Sequence, residues 1–427
     1  VIAPSTPTAT GPRLLDGPAA EEGREPLEAH SARLGLRPPG GTWLLDALEE
    51  SGLRGRGGAW FPTARKWRGV AVRTFGPAVV VINASEGEPL SAKDRTLVSL
   101  RPHLVLDGAV LAAESVGADE IVVYLSRPFR AARAAIAEAL AERRRAGLHE
   151  PVIRVTLVSH DYVAGESSAV VRRLSGGPAK PSFTPPHPSE RGVGGRPTLV
   201  QNAETLAHAA LIARNGSGWF RSRGTPASPG TTLMTLSGGV HRPGVYEVDI
   251  GTSVADVLDR AGGAVSPPAG ALLGGYFGSW IGPDGLLPLT LDVEALARRG
   301  ASLGCGVLGV LPDGGCAIGE TARIIAYLAA ESAGQCGPCV LGLRALADAM
   351  QRIARSNAEP ADLDRIRRWA RLIRGRGACN HPDGAAHHLE SALDTFADHL
   401  ALHLAGVLCA ASLLPSLPAP RPRQRWR

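Results

Sequence analysis

The chain has 427 residues, 44% of them hydrophobic and 20% charged, with a formal charge of +6. That length exceeds one hydrophobic core and predicts roughly two to four domains of ordinary globular composition. The basic residues are scattered without interleaved aromatics, which argues against nucleic acid, and six cysteines are too few for a disulfide scaffold.

Residues 1–40 read as an N-terminal extension whose Pro, Ala and Thr content predicts disorder. Val1 to Glu22 lacks the apolar core of a signal peptide, and the longest apolar run, Leu402 to Leu414, is short for a membrane span. A cytoplasmic protein with no direct membrane insertion is expected. Thr42 to Ser51 predicts a helix with Leu44, Leu45 and Leu48 on one face, ending at Gly52. The stretch Gly52-Leu-Arg-Gly-Arg-Gly-Gly-Ala-Trp-Phe-Pro-Thr-Ala-Arg-Lys-Trp67 follows. Its glycines let backbone amides form an anion nest, and its arginines and Lys66 suit phosphate. Composition alone slightly favours a flexible surface loop, and the stretch matches neither standard nucleotide fingerprint.

Ala78 to Asn83 is a continuous apolar run, the pattern of a buried parallel strand. It delivers Asn83-Ala-Ser-Glu-Gly-Glu-Pro89 at its carboxyl end, where open α/β sheets bind ligands. Helices at Arg101–Ser115 and Arg127–Ala146 alternate with strands at Glu120–Leu125 and Val152–Val158, which predicts a doubly wound α/β domain over 41–225. Gly165 to Ala169 starts a helix whose free amides its hydroxyls and carboxylate would cap. Gly176 to Pro197 is a long Gly/Pro-rich connection, a functional loop or a linker, and Gln201 to Asn215 is helical.

A second unit is predicted over 231–315. It has strands at Leu233–Gly238, Gly244–Val248, Leu272–Phe277 and Val307–Leu311 and a helix at Val254–Ala261, an arrangement similar to a β-grasp domain. Helices at 319–332, 338–355, 360–374 and 384–409 then form a bundle within 318–409, and 410–427 is a basic, disordered tail.

Cys336-Gly-Pro-Cys339 opens a helix, and Cys379 lies about forty residues on. Thiolates at a helix start are favoured by its amides and dipole. Three cysteines in this order suit an iron–sulfur cluster, structural zinc or a redox pair. Cys305, Cys316 and Cys409 have contexts that point to core or incidental roles. Glu86, Glu88 and Glu166 are ribose ligands or solvated loop acids. Lys180 and Phe183 could sandwich an aromatic base, and Asn202 and Thr205 stand where a helix N-terminus can meet phosphate.

Taken together, the motifs resemble the NADH-binding flavoprotein subunit of respiratory complex I and related NAD-linked hydrogenases and formate dehydrogenases. The resemblance is carried, in order, by Gly52–Ala59 with Phe61-Pro-Thr63 and Lys66-Trp67, and by Asn83–Pro89 with Lys93-Asp-Arg95. It continues through Pro102-His103, Tyr162–Glu166, Lys180–Phe183, Pro197-Thr198 with Asn202–Thr205, Gly238–Val248 and Glu331–Cys339. It implies a Rossmann-like FMN/NADH domain, an SLBB-like β-grasp domain and a helical iron–sulfur domain. It also implies hydride transfer from NAD(P)H to FMN, then electrons through a 4Fe–4S cluster to a ferredoxin-like or thioredoxin-like 2Fe–2S protein.

By carry-over the cofactor-binding residues are Gly55, Arg56, Gly57, Gly58, Ala59, Phe61, Lys66, Asn83, Glu86, Gly165, Glu166, Lys180, Phe183, Asn202 and Thr205. Of these, Phe61, Glu86, Lys180 and Phe183 would face NADH, and the flavin itself carries the chemistry. Cys336, Cys339 and Cys379 would hold the cluster. Several positions depart from the family pattern. Trp60 and Ala333 replace a glycine and the first cluster cysteine, Val340 an arginine, and Ser167 a glutamate that would repel the 2′-phosphate of NADPH. Three thiolates suit a 3Fe–4S cluster, or a 4Fe–4S cluster with a non-cysteine ligand or with Cys305 or Cys316 folding back. The alternative reading is a flavin-free homologue, a cluster-only relay or an assembly module, with Trp60 blocking the pocket.

Overall fold

Val79 to Ile82 leave no solvated face, and they fold as strand β1 (Ala78–Ala84), whose first five residues are all buried. The computed structural model describes residues 11–73, 76–407 and 409–418. The chain divides into two units: Val1–Gly87 with Ala92–Leu233 and Glu247–Gly251, and Glu88–Ser91 with Met234–Tyr246 and Thr252–Arg427.

In the first unit, β2 (Ala118–Ser126), β3 (Val152–Val158) and β4 (Thr198–Asn202) join β1 in the order β3-β2-β1-β4, all parallel. The order reverses between β1 and β4, and the register there sets Asn83 beside Asn202 at the carboxyl ends. Helices α1 (Leu27–Leu34), α2 (Thr42–Ser51), α3 (Thr63–Ala71), α4 (Lys93–Leu100), α5 (Pro102–Val116), α6 (Arg130–Arg145), α7 (Ser167–Leu174) and α8 (Ala203–Arg221) complete it. All but one residue of α5 are buried. A Cβ at Gly108 would stand 1.9 Å from the Leu206 carbonyl oxygen, so α5 and α8 meet backbone to backbone there.

A mixed sheet follows: β5 (Thr231–Gly238), β6 (Gly244–Asp249), β7 (Gly270–Leu273), β8 (Ser279–Ile281) and β9 (Val307–Leu311), in the order β6-β5-β9-β7-β8. α9 (Val254–Arg260), α10 (Pro283–Leu286) and α11 (Val293–Ala297) accompany it. The helical region comprises α12 (Ala317–Ala330), a π-helical turn at Pro338–Leu343, α13 (Arg344–Ala354), α14 (Asp362–Ile373), α15 (His381–Thr395) and α16 (Ala397–Leu404). No single helix among the described residues is long and apolar enough to cross a membrane.

Four expectations are corrected. Residues 11–40 are ordered: Leu14 is buried, and the Glu247 carboxylate accepts from the amides of Arg13, Leu14 and Leu15 at 2.9, 2.8 and 3.1 Å. Composition misses this because the ordering partner lies more than 200 positions away. Residues 410–418 are also structured, with Leu417 buried and its amide donating to Glu320. Residues 1–10 and 419–427 lie outside the described residues. The strand expected to reach Phe277 ends at Leu273, and the helix expected over 384–409 breaks at Phe396, whose ring meets Trp280 edge-on at 5.5 Å.

Candidate functional site

The glycine stretch is a closed loop at the mouth between β1 and β4. The Gly55 amide donates to the Phe61 carbonyl at 2.8 Å and the Thr63 amide to the Leu53 carbonyl at 2.9 Å, which ties off residues 55–61 before α3 begins. Gly58 adopts φ +113, a region L-residues avoid, and Gly57 backs onto Asn202, where a Cβ would meet the Asn202 Cβ at 3.3 Å. The Arg56 amide donates to the Thr205 hydroxyl at 2.9 Å, which links the loop to the first turn of α8.

The side chains of the loop divide into two groups. Arg56 points inward: it is buried, donates to the carbonyls of Arg54 and Thr231, and lies 3.8 Å from the Glu204 carboxylate. Trp60 stacks on it, with the guanidinium carbon 4.3 Å from the ring centroid, and is only 6% exposed. The indole is therefore part of the loop's floor. Phe61, by contrast, is 45% exposed. Lys66, on α3, donates to the Val200 carbonyl at 2.5 Å, and no carboxylate pairs with it among the described residues. Burial lowers its pKa to about 8, so the ammonium is still charged at neutral pH. A largely buried cation without a counter-charge is what an anion-binding site leaves when its ligand is taken away.

The second motif is held by charge. Asn83 donates to the Gly165 carbonyl at 2.8 Å and accepts from the Ser85 hydroxyl. A Cβ at Gly165 would lie 2.5 Å from that hydroxyl and would force it to move off Asn83. Glu86 sits at φ 40, a strained region for a non-glycine residue, and its carboxylate accepts from the amides of Asp94 and Arg95 at the start of α4. Glu166 caps α7 in the same manner, accepting from Ser168 and Ala169. Both carboxylates are thus engaged at helix N-termini. Asn202 caps α8 and donates to Asp94 at 2.7 Å.

Beneath them Lys93 bridges Asp94 and Glu204, each at 2.8 Å, with all three side chains buried. Burial pushes Asp94 up, Lys93 opposes, and the Glu86 and Glu204 carboxylates add to it, leaving a pKa of about 6. Sequence reasoning places Lys93, Asp94 and Glu204 inside motifs without giving them a role. A signal exists all the same: Lys93 is one of three lysines in the chain. His103, part of another of the motifs, bonds Glu142 at 2.9 Å and serves the structure instead.

The loop carrying Lys180 and Phe183 is fastened to the same helix start as Glu166, since the Ser182 amide donates to the Ser168 hydroxyl at 2.9 Å. Phe183 is 69% exposed and available for stacking. Tyr124, under this segment, donates to the Ala164 carbonyl at 3.0 Å.

In the helical region Cys336, Cys339 and Cys379 are electrostatic neighbours. Burial pushes the Cys339 thiol up to about 12, a bond to the Ser332 side chain opposes this, and Cys336 and Cys379 add to it. Ala333 offers no ligand. Of the cysteines expected to be incidental, Cys305 donates to the Gly274 carbonyl at 3.2 Å. Cys316 and Cys409 do not join the other three. They meet His399 and His403, with the ligand atoms of all four within 4.8 Å of one another, which corrects the incidental reading.

Residues 48–210 match the Nuo51 FMN-binding domain, 233–274 the SLBB domain and 320–403 the NADH-ubiquinone oxidoreductase-F iron-sulfur binding region. Among curated proteins the chain is similar to an NADH-quinone oxidoreductase subunit of Rhizobium meliloti, with 32% identity over 84% of this chain and 88% of that protein. It is also similar to the mitochondrial NADH dehydrogenase [ubiquinone] flavoprotein 1 of Dictyostelium discoideum, with 31% identity over 81% and 76%. Among solved structures it resembles a chain of an NAD+-reducing [NiFe]-hydrogenase in the H2-reduced state, with TM-score 0.80 and 31% identity over 89% of this chain. This chain spans 65% of that hydrogenase chain.

Proposed function

The chain belongs to the NADH-binding flavoprotein family of the NADH-quinone oxidoreductases, and from that premise we propose which residues serve its cofactors and where its electrons go. It is an NADH dehydrogenase-type oxidoreductase with an FMN-binding domain, an SLBB domain and a 4Fe–4S-binding region. Bound in this domain, FMN would supply a hydride acceptor for NADH and a one-electron donor toward the iron–sulfur centre.

The observation that carries the assignment of the flavin site is the reversal of strand order between β1 and β4, with the unpaired Lys66 beside it. The amides of Gly57 and Gly58 and the Lys66 ammonium receive the flavin phosphate, while Asn83 and Asn202 border the same crevice. Arg56 supports the loop from below, and Gly55 and Ala59 give it its close turn. Thr205 fixes the Arg56 amide. Phe183 stacks on the adenine of NADH with Lys180 beside it, and Phe61 borders the nicotinamide. Glu86 and Glu166 act as positioning residues, holding the starts of α4 and α7 in place. Gly165 permits the close approach of Ser85.

Cys336, Cys339 and Cys379 would supply three thiolates to the 4Fe–4S cluster, and the Ser332 side chain bonds to Cys339 beside them. The electrons pass to a 2Fe–2S protein of ferredoxin-like or thioredoxin-like fold, within an assembly of the complex I or NAD-reducing hydrogenase type. Anaerobic isolation tests the cofactor load. Flavin, iron and sulfide should all be present, whereas flavin-free, iron-free protein after reconstitution would sink the proposal.

The placement of Trp60 argues against a blocked pocket. Trp60→Gly relieves about 1 kcal/mol of left-handed strain at φ 51. It loses the buried indole and its contact with Arg56, roughly 3 kcal/mol together. The variant should be destabilised by roughly 2 kcal/mol in urea unfolding with flavin occupancy unchanged. A rise in occupancy would show that the ring obstructs the site.

A further inference from the structure

The second unit brings four strong metal donors, none of them assigned to the flavin or the cluster, to one point: Cys316, His399, His403 and Cys409. Their ligand atoms all lie within 4.8 Å of one another. We propose that they form a structural zinc site, distinct from the iron–sulfur cluster, that ties the start of α12 to α16 and to the segment ending at Leu417.

The geometry fits one ion. Zinc bonds of about 2.3 Å to sulfur and 2.0 Å to nitrogen in a tetrahedron separate the donors by roughly 3.3–3.8 Å. Cys316 Sγ lies 3.4 Å from His403 Nε2 and 3.8 Å from His399 Nε2. A cubane cluster needs thiolates spread around a much larger core. Two thiolates and two imidazoles select zinc over magnesium or calcium, and four protein ligands leave no open position, so the role is structural.

The surroundings prepare the donors. His399 and His403, four apart on α16, share a helix face. His403 Nδ1 lies 3.1 Å from the Ile353 carbonyl, a bond that fixes the tautomer and turns Nε2 toward Cys316. Cys316 caps α12, and its sulfur accepts from the Gly319 amide at 3.2 Å, which fixes the thiol at the start of that helix. The segment after Cys409 is packed against that same helix. Arg323 donates to the Ser412 and Leu414 carbonyls, and a Cβ at Gly319 would meet Ser412.

Metal analysis of the full chain, isolated with its cluster intact, should find about one zinc per chain besides the iron. Cys409→Ser and His399→Ala should each lower zinc retention against a chelator about tenfold or more, whereas Cys336→Ser should remove iron and leave the zinc. Protein grown on cobalt should show the intense visible bands of a tetrahedral cobalt–thiolate site, a readout that needs no variant to fold. Zinc well below one equivalent would overturn the proposal. So would zinc that survives Cys409→Ser unchanged, zinc lost together with iron in Cys336→Ser, or a Cys316–Cys409 disulfide found by mass spectrometry.

Discussion

Lys66→Met should strip the protein of flavin while making the flavin-free form more stable. The ammonium is largely buried and donates to the Val200 carbonyl, a neutral acceptor, with no carboxylate paired to it among the described residues. Removing one partner of such a buried charge pair costs about 3 kcal/mol of binding, on the order of 100-fold in Kd. In the empty protein the same charge is a burden. Burial lowers its pKa from 10.5 to about 8, so between these values the unfolded chain holds more protons than the folded one. Stability therefore rises with pH across that window, and the desolvation cost is present in full below pH 8. Methionine removes that cost. The flavin-free variant should melt a few degrees above flavin-free wild type at neutral pH, and the difference should close toward pH 10.5. Thermal unfolding across pH with flavin titration checks both halves, and flavin affinity like that of wild type would refute the phosphate role.

Glu204→Gln should unfold the site from below, with a loss of about 3–5 kcal/mol. Glu204 accepts from Lys93 at 2.8 Å, from the Leu233 amide at 2.9 Å and from the Thr232 hydroxyl at 3.0 Å. Burial alone would raise its pKa, but Lys93, then His208 and Arg56, hold it down at about 2. A carboxyl with a depressed pKa stabilises above its unfolded value and loses that contribution as pH falls, here from 4.5 toward 2. The amide keeps the shape and removes the charge, leaving Lys93 with Asp94 alone. Urea unfolding should show the full loss near pH 7, with wild type and variant converging as pH falls from 4.5 to about 2. A loss under about 1 kcal/mol would mean that the network contributes little to the fold.

Much of the architecture is legible in the chain because it rests on local pattern. The run at Ala78 has no polar alternation, the run at Val152 sets Arg154 and Thr156 between Ile153, Val155 and Leu157, so strands are expected at both, and helix α2 is bounded by Thr42 and Gly52 as its pattern predicts. What stays hidden depends on distant partners. Residues 11–18 look disordered by composition, yet they are ordered by Glu247 and by Arg101, which donates to carbonyls at Leu15, Asp16 and Pro18. Strand β4 is missed because Thr198 to Asn202 is only five residues long and runs directly into α8. At the site, the glycine loop and the order of motifs can be read, but not the direction of each side chain. Arg56 turns inward and Glu86 caps α4, which residue type alone does not reveal, whereas the capping of α7 by Glu166 is legible in Gly165–Ala169. The four-ligand cluster at Cys316 escapes for a related reason: its members span more than ninety positions, with only the His399–His403 spacing visible locally.

The central claim is that this chain binds FMN at the β1–β4 crevice and reduces it with NADH. Anaerobic titration of the isolated full chain with NADH, followed by the flavin absorbance, tests it most directly. The expected result is bleaching of the yellow flavin band in wild type, with no such band in Lys66→Met. Bound flavin that NADH leaves oxidised, or a Lys66→Met protein that retains and bleaches flavin as wild type does, would contradict the account.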